Sequence, residues 1–121
     1  MGRVIHFELN ADDPERAAQF YQAAFGWQIT KWGGPTDYWM VKTGDAGPGI
    51  DGGILKRPQP GATTVNTIGV DSIETAVGQI TAAGGRLVVP KFGVPGVGWV
   101  AYCLDTEGNT FGIMQPDPAA H

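Results

Sequence analysis

The chain repeats itself. Sliding residues 65–88 back by 59 positions sets Asp71 on Asp12, Glu74 on Glu15, Ala76 on Ala17, Ala82-Ala83 on Ala23-Ala24 and Gly85 on Gly26, without a gap. Pro95, Trp99 and Asp105 fall on Pro35, Trp39 and Asp45 at an offset of 60, and Gly112-Ile113 fall on Gly53-Ile54 at 59. The matched positions are chemically unlike one another (a cap, an acid, a helix stop, a strand Trp), so two amphipathic helices that merely share alanines do not account for them. A module of about sixty residues is too small to close a core alone, so two must pack together or pair with another chain.

Each copy reads as β-α-β-β-β. In residues 4–10 (VIHFELN), Ile5, Phe7 and Leu9 alternate with His6, Glu8 and Asn10, the period-two pattern of a half-buried strand. Asp13 is placed to cap a helix with Pro14 at its first position, and Ala17, Phe20, Tyr21, Ala24 and Phe25 recur at helical spacing until Gly26. Strands near 27–31, 38–42 and 53–56 follow. The second copy offers a strand near 65–70, a capping signal at Asp71-Ser72-Ile73-Glu74, a helix to about Ala83 ended by Gly84-Gly85, and strands near 86–89, 99–104 and 110–115. The expected fold is therefore α+β, with helices near 14–25 and 73–83 and two repeat modules, 1–60 and 61–121, sharing a single domain.

Composition narrows the function. With 42% apolar and 17% charged residues the chain suits a globular domain, and no apolar run reaches the ~20 residues of a membrane-spanning helix. A net charge of −4, with Lys56-Arg57 the only adjacent basic pair, argues against nucleic acid as a partner. Cys103 is the single cysteine, so no intramolecular disulfide is available, and MGRVIHFEL has no basic stretch followed by a long apolar run. The expected compartment is the cytoplasm.

The tandem βαβββ order, the segment HFELNADDPERAAQFYQAAFGW and the closing GWVAYCLDTEGNTFGIMQ resemble the vicinal oxygen chelate superfamily. That group includes glyoxalase I, extradiol dioxygenases, fosfomycin-modifying enzymes and bleomycin-binding resistance proteins. The resemblance covers nearly the whole chain and implies a mixed-sheet cup with its helices outside. In the metal-dependent members a divalent ion is held by side chains from the first and last strands of each module. Carried over position by position, those places are His6, Gly53 (or Gly52), Val65 and Gly112, so His6 alone supplies a donor. Glycine and valine side chains cannot coordinate, and a divalent ion needs about three or more protein donors. The ligand set is incomplete and no cofactor is expected; a divalent metal held by His6 with Glu8 as a second ligand is the alternative. The two glycines are expected to make room for a ligand in the cleft.

His6 and Glu8, two residues apart on one strand face, are the candidate acid–base pair. Trp39, Gly53, Val65, Thr67, Trp99, Tyr102 and Gly112 are the candidate ligand-binding residues, with Tyr38 and Phe111 as further possible aromatic lining. The run Gly47-Pro48-Gly49-Ile50-Asp51-Gly52 fits G-x-G-x-x-G in letters, but it enters a strand and not a helix, so it reads as a turn. It and Lys91–Gly98 are candidate mobile lids. Cys103, inside a strand without a basic neighbour, reads as a buried inert thiol.

The leading expectation is a glyoxalase-like protein that binds a small organic molecule without a full metal site. A lyase, isomerase or dioxygenase-type enzyme using His6 and Glu8 is the second, and a protein-association module the third. A homodimer is expected because two small modules leave sheet edges exposed, whether the modules pair within one chain or swap between two.

Overall fold

The computed structural model describes residues 2–121. The elements run β1 (Arg3–Ala11), α1 (Pro14–Phe25), β2 (Gln28–Lys31), β3 (Tyr38–Lys42), β4 (Asp51–Lys56), β5 (Thr64–Gly69), α2 (Ile73–Ala82), β6 (Arg86–Val94), β7 (Gly98–Leu104) and β8 (Thr110–Pro116). The fold is α+β, and the chain separates into two compact units. One comprises His6–Val65. The other takes Asn66–His121 with the N-terminal residues through Ile5, so the dividing point lies at Val65/Asn66, where the repeat alone suggested 60/61.

The two units share one topology. In the first, the strand order is β2-β3-β4-β1, with β1 parallel to β4 and the other neighbours antiparallel. In the second it is β6-β7-β8-β5, with β5 parallel to β8. The helix after each module's first strand supplies the crossover that a parallel closing strand requires.

Both helices begin and end on local chemistry. The Asp13 side chain accepts from the Arg16 N–H at 3.1 Å, and Gly26 stops α1 in the left-handed region at φ 74°. Ser72 does the capping for α2, accepting from the Thr75 N–H at 3.2 Å, and Gly84 at φ 103° follows the last turn. Each helix covers one face of its own sheet. Under α1, Ala18, Val41 and Ile54 are buried with Phe7, Leu9, Trp27 and Trp39 packed around them. Under α2, Ile73, Ala76, Ala101, Cys103 and Ile113 form the equivalent core. Ile54 and Ile113, partners in the repeat, are 0% and 1% exposed.

Neither expected lid is a free loop throughout. Asp51 and Gly52 open β4, and Lys91–Val94 close β6. Pro90 is accommodated because β6 is the outermost strand of its unit's sheet and its register shifts on both sides of Val89. An edge strand with irregular pairing tolerates a residue that lacks an N–H.

Candidate functional site

Strand alternation and register decide which side chains can meet. In the His6–Val65 unit, Glu8 pairs with Gly53 and Gly53 with Met40, while His6 pairs with Asp51 and Tyr38 with Leu55. Laterally paired residues share a face, and residues two apart on one strand do too. His6, Glu8, Tyr38, Met40, Asp51 and Gly53 therefore lie on the face opposite α1. Trp39 lies on the α1 face, against the core.

On that opposite face Tyr38 reaches His6. The His6 Nε2 and Tyr38 Oη atoms stand 2.8 Å apart. The tyrosine gets there by lying over Gly53, where a Cβ would collide with its hydroxyl and ring carbons. Gly53 was expected to open space for a ligand; instead its missing side chain is the room that Tyr38 occupies. Gly112 is similar in kind, since a Cβ there would lie 2.8 Å from Thr67 Oγ1 and 3.4 Å from the Tyr102 ring.

Burial marks the same two rows. Glu8 and Thr67 are buried polar residues at 9% and 5% exposure, they are partners at the 59-residue offset, and each pairs with a glycine. The His6 imidazole is pushed below its ordinary value chiefly by burial, opposed by the charges of Glu8 and Asp51. It is a neutral base at neutral pH. Asp51 is itself engaged, accepting from the Thr43 N–H at 2.9 Å and the Thr43 hydroxyl at 3.3 Å.

In the other unit, Thr67, Gly112 and Tyr102 form one row on the face opposite α2, and Tyr102 stacks on Phe92 with ring centres 6.2 Å apart. Val65 is half-buried in β5. Trp99 and Phe111 pack on the α2 side with the core. Trp39 and Trp99 thus face away from His6, Glu8, Thr67 and Tyr102 in their own sheets. They keep instead a matched structural role: Lys31 lies 5.2 Å over the Trp39 ring and Lys91 4.8 Å over that of Trp99, whose Nε1–H donates to Asp117 at 2.9 Å. Cys103 is buried and its thiol is pushed up by desolvation, the setting of an inert packing residue.

A divalent ion finds a poor donor set on the His6 face. His6 Nε2 is engaged by Tyr38, and the Gly53 position is roofed by the tyrosine ring. Among the described residues no three His, Cys, Asp or Glu side chains come together as an ion-holding group. The residues present do not fit the metal of the superfamily's metal-dependent members.

The likenesses agree with this architecture. Residues 3–44 match the family model "Bleomycin resistance protein-like N-terminal". A "Glyoxylase-like domain-containing protein" of Didymella fabae is 31% identical over 120 residues, covering 93% of this chain and 92% of that protein. The "Putative glyoxylase CFP32" of Mycobacterium tuberculosis is 30% identical over 121 residues, 97% of this chain but 45% of that protein, so the chain spans less than half of this relative's length. Among solved structures, methylmalonyl-CoA epimerase from Mycobacterium tuberculosis superposes with a TM-score of 0.72 at 11% identity, over 95% of this chain and 88% of the other, a likeness of fold alone. The chain belongs to the vicinal oxygen chelate superfamily, as a glyoxalase-like protein akin to the bleomycin resistance proteins.

Proposed function

We propose that the protein binds a small organic molecule at the His6 face and does so without a metal ion. The observation that carries this reading is the 2.8 Å contact of His6 with a tyrosine laid across Gly53. It ties up the family's one surviving donor and fills the place of a second. Glu8, buried on the same face, gives it polar character beside the imidazole. The epimerase that shares the fold acts on a CoA thioester by its name, which supports small organic ligands as a class for this architecture.

An acid–base reaction on that ligand, with His6 as base and Glu8 as its neighbour, is the second reading. The lowered pKa of His6 favours it, with Nε2 serving as the base once it gives up its bond to Tyr38. We further propose a cytoplasmic homodimer, supported by a single cysteine that is buried and free and by the edge strands β2 and β6 of the two units.

A thermal-shift screen of uncharged and charged small aromatic and carbonyl compounds tests the binding reading. Compounds should raise the melting temperature of the natural protein and fail to do so in His6→Ala. Stabilisation that ignores His6→Ala, or a screen without any stabilising compound, contradicts it.

A further inference from the structure

We propose that Tyr38 is the positioning residue of this site: its hydroxyl donates to His6 Nε2, fixes the ring as the Nδ1–H tautomer, and makes His6 a hydrogen-bond donor to an uncharged acceptor oxygen, such as a ketone, ester or amide carbonyl. The proposal rests on the small-molecule reading above.

Three observations carry it. Tyr38 pairs with Leu55 and His6 with Asp51, so the two sit at opposite ends of a diagonal whose midpoint is Gly53. Only a side chain lying along that diagonal joins them, and only glycine at 53 leaves it room. The tyrosine and the glycine are therefore one device. Second, the contact joins a phenol to an imidazole nitrogen at 2.8 Å. A phenol is a strong donor and a weak acceptor, whereas the unprotonated nitrogen of a neutral imidazole is a strong acceptor, so the proton lies on oxygen. With Nε2 accepting, the ring's own proton must be on Nδ1. Third, the carboxylates of Glu8 and Asp51 both act electrostatically on the ring. Their field disfavours an anionic ligand at the imidazole and leaves a neutral carbonyl as the matching acceptor.

Tyr38 acts through His6 and not on the ligand directly, so the readout must be the imidazole itself. Long-range proton–nitrogen spectra of uniformly nitrogen-15-labelled protein, above the pH range in which histidine is protonated, should show the Nδ1–H pattern for His6. Tyr38→Phe keeps the ring and its packing and should shift His6 toward the Nε2–H form that free histidine prefers. Gly53→Ala should do the same by pushing the tyrosine aside, and the double variant should resemble Gly53→Ala alone. Should Gly53→Ala fail to fold, Tyr38→Phe decides by itself. An Nε2–H pattern in the natural protein, or a pattern that Tyr38→Phe leaves unchanged, overturns the proposal. The measurement needs no ligand, so it can fail while the small-molecule reading stands, and an empty compound screen would end that reading while the tautomer stayed as measured.

Discussion

Glu8 stands directly across from Gly53 in the parallel β1–β4 ladder, and the repeat reproduces the relationship with Thr67 across from Gly112 in β5–β8. Each module thus sets a buried polar side chain beside a bare strip of backbone, which in the second module is crowded by Thr67 itself with the Tyr102 ring alongside. In the first module the filler is Tyr38, and its far end is bonded to His6.

The tightness of that filling gives a first prediction. Gly53→Ala should destabilise the protein by about 1–3 kcal/mol, the usual range for overpacking a close contact. In Tyr38→Ala the ring is gone, and adding Gly53→Ala to it should cost clearly less. Urea unfolding of the four proteins in a double-mutant cycle measures the coupling, and strict additivity would show that the ring does not lie over the glycine.

The cores make a symmetrical prediction. Ile54→Ala and Ile113→Ala each leave a cavity beside a helix and should cost about 2–5 kcal/mol. Loss of the helix caps in Asp13→Ala and Ser72→Ala should cost about 1 kcal/mol each. Denaturant midpoints at constant slope check all four.

Local chemistry of this kind was legible in the sequence. Caps and left-handed glycines act within a few residues, so Asp13, Gly26 and the helix spans could be read directly, and the offset of 59 revealed the doubled topology. The His6–Tyr38 bond could not be read. It spans 32 residues and depends on the β1–β4–β3 register, which no local signal specifies. One signal was available: strand alternation separates Tyr38 from Trp39, so both could not face His6. Gly53 looked like a vacancy because a sequence shows the absent side chain but not the neighbour that takes its place. The extension of β6 past Pro90 was hidden for a related reason, since proline ends an inner strand but not an edge strand.

His6 also predicts a pH dependence. Its folded pKa is lowered by burial, so the unfolded chain binds the extra proton more readily. The contribution to stability is full above the ordinary histidine pKa, declines as pH falls through it, and levels off below the lowered folded value. His6→Gln should flatten that part of the stability–pH curve. A curve with the same slope in His6→Gln would assign the effect to other groups.

The most direct test of the central claim is metal analysis of the purified protein together with its melting temperature in added Ni²⁺ or Zn²⁺. A metal-independent site predicts no stoichiometric divalent ion and a nearly unchanged melting temperature. A ligand present at a hundredfold excess over its Kd would contribute ~2.7 kcal/mol, which a thermal scan detects readily. A rise of several degrees that disappears in His6→Ala would contradict the account, and would make Glu8 the first residue to examine as the second ligand.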